Sequence, residues 1–212
     1  MVGVFEKGKA DVKFTARSNG GHASAPSKGT PIARLSAFVN EVETHSPFRK
    51  KLLPEVSAMF TELAPYAGFG MKLVFGNVWL FGPVLKAVMP AISAQAGAML
   101  KTTIAFTVQK GSDAYNVLPQ EAYVGANMRF IPHQGEKESL EIIKKVADKY
   151  GLETEVLHAN DYTTPVDIHG EAFHLVEQTI ADTFPGLPSS PYVMTGATDA
   201  QFYQPICRNC IR

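Results

Sequence analysis

The sequence is poor in cysteine and has no excess charge of either sign. Its 212 residues include two cysteines, and 20 basic residues balance 20 acidic ones. Two cysteines cannot build the disulfide framework of a small secreted domain. Nucleic-acid binding requires a basic surface. A chain of zero net charge is not expected to have a nucleic-acid partner.

The two cysteines, Cys207 and Cys210, form a C-x-x-C pair. A structural zinc site needs four ligands, and no second pair is present to complete one. A buried pair or a coincidence of spacing therefore explains these residues better than a metal site does.

Long hydrophobic runs are also missing. A membrane-spanning helix needs about 20 consecutive apolar residues, and the most apolar stretch, residues 66–100, is interrupted by Lys72, Lys86, glycines and prolines. Residues 1–7 lack the basic start and apolar run of a secretory signal. We predict no transmembrane segment. The compartment stays unknown, because any targeting signal would lie upstream of a chain whose two ends resemble cut edges of a larger protein.

The elements that are present alternate between strands and helices. Period-two alternation over 10–16 predicts a strand, and Pro31 after Thr30 predicts the start of an amphipathic helix whose buried face carries Ile32, Leu35, Phe38, Val39 and Val42. Later patterns predict strands at 103–109, 121–130 and 153–158 and a helix at 136–150. The order β-α-β-β-α-β predicts an α+β fold, a ferredoxin-like four-stranded antiparallel sheet with two helices on one face.

Two segments depart from this alternation. Residues 46–102 lose charge and gain proline, glycine and phenylalanine, which predicts an insertion of short helices separated by Gly/Pro breaks. Residues 161–212 contain a helix, a short strand, a glycine turn and a helical first turn, typical of part of an α/β domain. We therefore divide the chain into a linker end (1–7), a first domain (8–160) and an incomplete second domain (161–212).

Three side chains in the first domain could take part in chemistry. His22 lies in a loop of small residues where its ring can reach a ligand, although a single loop histidine is usually an ordinary surface residue. Asn116 precedes Val117-Leu118-Pro119, which by itself is an ordinary turn. Arg129 near a strand end could hold a carboxylate through two parallel hydrogen bonds, but a structural salt bridge explains it better when it is taken alone.

A fourth signal lies in the second domain, at Gly196-Ala197-Thr198-Asp199. Backbone N–H groups at a glycine turn before a helix suit an anionic oxygen, and Thr198 adds a hydroxyl. Asp199 could simply cap the helix.

Metal-ligand patterns are absent. The six histidines form no H-x-D or H-E-x-x-H pair, and no two glutamates are adjacent. Glu171, His174 and Glu177 share one face of a predicted helix, where solvated polar residues are far commoner than metal ligands. We predict no assembled metal site in this chain.

Taken in order, three of these segments resemble the motifs of one family. The segments are Gly21-His22-Ala23-Ser24-Ala25-Pro26, Asn116-Val117-Leu118-Pro119 followed by Arg129, and Thr195-Gly196-Ala197-Thr198-Asp199-Ala200-Gln201-Phe202. They resemble the dizinc aminoacylase/carboxypeptidase family, metallopeptidase family twenty. The apolar insertion is similar to that of its carboxypeptidase S-like branch, whose members include N-acyl-amino-acid hydrolases.

The resemblance implies a lid domain inserted into a zinc-binding catalytic domain, with lids pairing into a homodimer. It implies that His22 stabilises the oxyanion in the partner subunit's active site, that Asn116 and Arg129 bind the carboxylate of a small peptide or N-acyl amino acid, and that Gly196 and Thr198 contact the substrate. In the intact enzyme, two zinc ions would be bound by ligands that lie outside these 212 residues. The chain itself is therefore expected to bind no zinc and to be inactive alone.

Two alternatives stay open. The chain could be a stand-alone, non-catalytic module for dimerisation or small-molecule binding. The insertion could line a channel for acyl chains, touch a membrane surface or pack within the dimer, and its composition favours burial against protein. The exact substrate is not determined by the sequence.

Overall fold

The chain contains eight strands and eight helices, seen in a computed structural model that describes residues 1–212. The strands are β1 (Val2–Glu6), β2 (Gly8–Arg17), β3 (Gly21–His22), β4 (Thr103–Lys110), β5 (Val117–Leu118), β6 (Glu121–Phe130), β7 (Glu153–Asn160) and β8 (Pro191–Met194). The helices are α1 (Pro31–Thr44), α2 (Pro54–Leu63), α3 (Phe69–Gly76), α4 (Val78–Ile92), α5 (Ala94–Ala98), α6 (Glu136–Lys149), α7 (Glu171–Thr183) and α8 (Ala200–Tyr203).

Four of the strands form one antiparallel sheet in the order β4-β6-β2-β7. Helix α1 connects β2 to β4, and α6 connects β6 to β7. Both helices contact the central strand β2. The predicted α+β architecture and its β-α-β-β-α-β order are confirmed, and the strand order is that of the ferredoxin-like split arrangement. We call residues 8–160 the lid.

Alternation along β2 and β6 sends every second side chain into one core. The core receives residues from both helices as well, and the rings of Phe14 and Phe38 lie 4.7 Å apart at its centre. The opposite face of the sheet is polar: Lys9 and Asp11 of β2 lie there beside Asn127 and Arg129 of β6. The sheet thus has one face for stability and one face that carries charged groups.

The face predicted for α1 is largely confirmed. Leu35, Phe38 and Val42 are buried, and Val39 is half-buried. Ile32 differs, since it is 40% exposed. It lies in the first helical turn, beside Gly111 and beyond the end of β4, where the sheet no longer covers it. Gly151 has a φ of +61° directly after α6, as a helix-ending glycine should.

The insertion consists of α2 to α5, as expected, but its prolines do not all act as breaks. Pro83 and Pro90 lie inside α4, which continues through both. Each proline removes one backbone hydrogen bond. Burial of Val78, Leu85 and Met89 along one side of the helix outweighs that loss.

No single helix of the chain is long and apolar enough to cross a bilayer. The consecutive helices α3 and α4 reach the required length and composition only when counted together, across a bend of 110°.

Residues 2–6, assigned from sequence to a linker, form strand β1. It pairs in parallel with β8, and Val4 and Phe5 are fully buried in a second core shared with the insertion and α7. The strand escaped prediction because both of its faces are buried, which removes the alternation of a half-exposed strand. At Gly8 the chain passes from β1 into the lid so close to Asp161 that a Cβ would come within 2.6 Å of its carbonyl carbon.

We expect Phe14→Ala to lower the free energy of unfolding by about 3–5 kcal/mol, because it removes a fully buried ring between α1 and the sheet. Urea unfolding followed by circular dichroism measures the change. Leu157→Ala on β7, where 60% of the side chain is exposed, is the matched control and should alter stability by less than about 0.5 kcal/mol. Equal losses for the two variants would contradict the core described above.

Candidate active-site surface

The loops that carry His22 and Asn116 contact each other although 94 positions separate them in sequence. Strand β3 pairs with β5 through Gly21 with Leu118 and His22 with Val117, and the N–H of Ala23 donates to the carbonyl of Asn116 at 2.9 Å. Gly20 has a φ of +68°, a conformation that favours glycine, which lets the chain turn sharply out of β2. The first two sequence motifs therefore build one surface.

The His22 ring is held by its neighbour Ser24. The backbone N–H of Ser24 donates to Nδ1 at 3.2 Å, and the Ser24 hydroxyl lies 2.8 Å from the same atom. Since Nδ1 accepts, the ring proton lies on Nε2. The exposed Nε2–H is then a free, oriented donor suited to a negatively charged oxygen.

A surface cavity of about 700 Å³ lies beside these loops. It is bounded by Thr30 and Ile32 at the start of α1, by Gln109 at the end of β4, and by residues 111–115 and 117–119 around Asn116. The Asn116 side chain is exposed and makes no hydrogen bond. Its amide is therefore free to meet a ligand at the rim of this cavity.

Arg129 lies on the polar face of the sheet, half-buried, opposite Lys9 on β2 and Thr103 on β4. Its Nε donates to the Asn127 side chain at 3.0 Å, and Asn127 in turn donates to Asp11 at 2.7 Å. Arg129 makes no salt bridge, so the structural ion pair considered from sequence is not present. Its two terminal nitrogens are left unbonded for a carboxylate.

Arg129 and the His22–Asn116 surface lie at opposite ends of the lid sheet. The pairing of β2 with β6 sets Arg17 opposite Glu121 at the end near His22, and Lys9 opposite Arg129 at the other end. Eight residues of extended strand span about 26 Å. Within one chain, a small substrate cannot reach both Asn116 and Arg129.

The Gly196–Asp199 loop follows β8 and is tied to β1. The Thr198 hydroxyl donates a hydrogen bond to the Glu6 carboxylate and accepts one from the N–H of Ala200 at 3.2 Å. Glu6 is 1% exposed and is paired with Arg212, whose Nε lies 3.0 Å from the carboxylate. The Asp199 side chain makes no capping bond. The loop is therefore positioned by a buried carboxylate, while its backbone at Gly196 remains exposed.

Lys7, next to Glu6, is buried without an acidic partner. Its Nζ donates to the carbonyls of Ala98 at 3.0 Å and Lys101 at 2.9 Å, at the end of the insertion. Burial first, and then the positive charges of Arg129 and Lys101, lower the pKa of Lys7 to about 7. Lys7 thus joins the insertion to the strand that enters the lid.

Sequence reasoning missed both Glu6 and Lys7. The available signal was two charged residues directly after the apolar run Val2–Phe5, because strand ends are where polar side chains can turn toward a site. Glu6 ends β1, and the Thr198 loop follows β8. Both therefore lie at the carboxyl ends of two parallel strands, which is where α/β sheets bind ligands.

Comparison with known proteins shows the family of the chain. Residues 4–155 match the family described as the peptidase dimerisation domain. The chain belongs to that family. The resemblance to family-twenty metallopeptidases is thereby confirmed, and the lid is their dimerisation domain.

The curated relatives include enzymes of the same family. The N-fatty-acyl-amino acid synthase/hydrolase of Xenopus tropicalis is 30% identical over 96% of this chain and 40% of its own length. A probable carboxypeptidase S-like protein of Dictyostelium discoideum is 27% identical over 100% of this chain and 40% of its own. The chain thus spans about two-fifths of the length of these relatives. The match to a carboxypeptidase S-like protein confirms the resemblance to that branch.

Solved structures share the fold of the dimerisation domain and its surroundings. Human carnosine dipeptidase 1 aligns with a TM-score of 0.59 at 12% identity, over 97% of this chain and 47% of that one. The di-peptidase Dug1p of Saccharomyces cerevisiae aligns with a TM-score of 0.58 at 13% identity, over 96% and 46%. At such identities the agreement concerns the fold alone.

Peptidases with this dimerisation domain are generally metal-dependent, so the residues of this chain were tested for a fit to a metal ion. No three potential ligands converge. On α7, Nδ1 of His174 and the carboxylate of Glu177 lie 3.0 Å apart and bond to each other, while Cys207 and Cys210 are free thiols near the end of the chain. The residues of this chain do not form a metal site.

The lowered pKa of Lys7 predicts a pH-dependent stability. Between its folded pKa of about 7 and the ordinary value of 10.5, the unfolded chain binds more protons than the folded one, so stability rises with pH. We expect a slope of roughly 1 kcal/mol per pH unit from about pH 7.5 to 9.5. Urea unfolding at several pH values measures it.

Lys7→Met should remove most of this slope, whereas Lys144→Met, at an exposed lysine on α6, should leave it unchanged. A slope that survives Lys7→Met would show that another group causes it.

Proposed function

We propose that this chain is the lid and part of the catalytic domain of a zinc-dependent hydrolase that cleaves the amide bond of peptides or N-acyl amino acids bearing a free carboxylate. The carrying observation is the surface formed by β3 and β5, where the Nε2–H of His22 points outward next to the free amide of Asn116. The name of the Xenopus relative, an N-fatty-acyl-amino acid synthase/hydrolase, favours N-acyl amino acids within this class.

The edge of β4 is the proposed dimer contact. Strand β4 has no charged residue before Lys110, whereas the other sheet edge, β7, carries Glu153, Glu155 and His158. Charged residues protect an edge strand from pairing, and a strand without them is suited to it. Two copies joined through β4 and the adjacent α1 would form a continuous sheet about a two-fold axis.

This dimer would bring the separated residues to one substrate. The cavity beside Asn116 includes Ile32 and Gln109, so the His22–Asn116 surface lies at the proposed dimer edge. Arg129 lies about 26 Å away in its own chain. We infer that each active site takes His22 and Asn116 from one subunit and Arg129 from the other.

The roles follow from the chemistry of each group. The His22 Nε2–H would donate to the oxyanion that forms when water attacks the amide carbonyl. Asn116 and the free guanidinium of Arg129 would bind the substrate carboxylate. Residues 161–212, together with β1, would belong to the catalytic domain, where Gly196 and Thr198 contact the substrate and Glu6 fixes the loop that holds them.

The two zinc ions of the intact enzyme would be held by residues outside this chain, and they would supply activated water and polarise the carbonyl. The 212 residues alone are then expected to bind no catalytic zinc and to hydrolyse nothing. A zinc titration that finds two tight sites in this chain would contradict this assignment.

Subunit mixing in the intact enzyme tests the shared site. His22→Ala and Arg129→Ala should each abolish most hydrolysis of an N-acyl amino acid, with kcat lowered about 10²–10³-fold for His22→Ala because an oxyanion donor is lost. Mixed dimers should regain one working site, which gives about a quarter of wild-type activity after equal mixing. Activity that stays at the level of the single variants would contradict residues shared between subunits. Normal activity in both single variants would instead contradict the catalytic roles proposed for His22 and Arg129 and favour the alternative of a non-catalytic module.

The dimer edge has its own test. Val108→Lys on β4 should raise the dimer dissociation constant by about tenfold or more, because it places a charge where two strands would pair. Val156→Lys on β7 is the matched control, since the two valines are 52% and 44% exposed. Sedimentation velocity distinguishes them, and dissociation caused by Val156→Lys alone would move the interface to the opposite edge.

A further inference from the structure

The most exposed apolar side chains of the insertion are gathered on α3 and α4. Phe69 is 88% exposed, more than any other phenylalanine of the chain, and Trp79 is 82% exposed. A contiguous patch of large apolar side chains on a protein surface marks a site of interaction with another protein or with a membrane. We call the exposed apolar residues of these two helices the insertion face: Phe69, Met71, Leu73, Trp79, Leu80, Val84, Val88 and Ile92.

Helix α4 is apolar on both sides. Val78, Gly82, Leu85 and Met89 form its buried side. A second stripe of residues at every fourth position, Leu80, Val84, Val88 and Ile92, is exposed along the helix. A helix that is hydrophobic all round belongs in a protein core or in contact with lipid. Within these 212 residues, only the inner side of α4 packs against other residues.

The charge around this face has a single sign. Lys72 is the only charged residue of α3, and Lys86 is the only charged residue of α4. No aspartate or glutamate occurs between Glu62 and Asp113. Neither lysine makes a salt bridge, so both positive charges are available to an external partner.

We propose that the insertion face docks on a membrane surface containing anionic lipid. The stripe of α4 and the rings of Phe69 and Trp79 would lie at the boundary between headgroups and acyl chains, as in helices that lie in the membrane plane. Lys72 and Lys86 would extend their amino groups to the lipid phosphates, since long basic side chains keep their charge in the polar layer.

Charge selects lipid over a second copy of the chain as the occupant. Two insertion faces packed about a two-fold axis would bring the lysines of both copies together in a region without a carboxylate to balance them. An anionic lipid surface instead attracts each lysine. The proposal uses none of the residues assigned to amide hydrolysis, so the two can fail independently.

The single tryptophan of the chain, Trp79, reports on this surface directly. Vesicles of phosphatidylcholine mixed equally with phosphatidylserine should shift Trp79 emission to shorter wavelength and carry the chain upward in a flotation gradient. Vesicles of phosphatidylcholine alone should bind it several-fold more weakly. No emission shift and no flotation with either composition would overturn the proposal.

Matched variants separate lipid docking from general stickiness. Leu80→Asp on α4 should lower the vesicle partition coefficient by about tenfold or more, because a charge enters the stripe. Leu175→Asp on α7 is the control, since the two leucines are 55% and 63% exposed, and it should bind as the wild type does. Both positions are exposed, and an unchanged circular dichroism spectrum verifies the fold of each variant.

A double lysine variant tests the part of the charge in vesicle binding. Lys72→Glu combined with Lys86→Glu should weaken binding to the anionic vesicles by roughly tenfold or more, and should affect phosphatidylcholine vesicles little. Equal binding of this variant and the wild type would overturn the charge assignment. A second copy of the chain would be the occupant instead if two results were found without lipid. Sedimentation would show a dimer, and Leu80→Asp would abolish both that dimer and the shift in Trp79 emission.

Discussion

Two adjacent charged side chains with almost no access to water, Glu6 and Lys7, hold together the three parts of this chain. Glu6 binds Arg212 and the Thr198 hydroxyl, and its backbone N–H bonds the Thr163 side chain at 2.7 Å. Lys7 binds carbonyls at the end of the insertion. Removing charges from water is costly unless they are paired or hydrogen-bonded. The strand that enters the lid can therefore occupy its place only if the insertion and the C-terminal segment are folded against it.

This junction also decides where the polar groups of the lid sheet can act. Arg129 lies at the end of β6 nearest Lys7, where burial, together with the positive charge of Arg129, lowers the pKa of Lys7 to about 7. In the proposed function, the substrate carboxylate would bring negative charge to the Arg129 guanidinium, which makes no salt bridge within the chain. The His22–Asn116 surface lies at the far end of the same sheet. The length of the strands, and not a local feature of either motif, is therefore the reason for proposing that a second subunit completes the site.

The insertion reflects a different constraint. Its helices stabilise the second core through one side of α4, yet the opposite side is equally apolar. Composition favours burial against protein, and the inner side of α4 is buried in this way. The outer stripe, together with lysines that no carboxylate neutralises, gives the insertion a surface whose chemistry differs from that of the lid edge. Dimerisation and surface docking can therefore be served by separate parts of the molecule.

Local periodicity was sufficient for much of the lid. The strand at 121–130 and the helix beginning at Glu136 follow from alternation and from 3.6-residue spacing, because each pattern reports one buried face of one element. The order of these elements then predicted the ferredoxin-like sheet, and the motifs around His22, Asn116 and Thr198 indicated the family.

Features that depend on distant pairing could not be obtained in this way. Strand β1 has no alternation because both faces are covered, and α4 runs through Pro83 and Pro90 because its inner side is buried. The contact of His22 with the Asn116 loop, and the separation of both from Arg129, depend on which strands pair and in which register. The sequence by itself determined the identity of the elements and of the reactive side chains, since these are local properties. Only the tertiary structure decided which of those side chains meet, because strand pairing and core packing act between residues that are far apart along the chain.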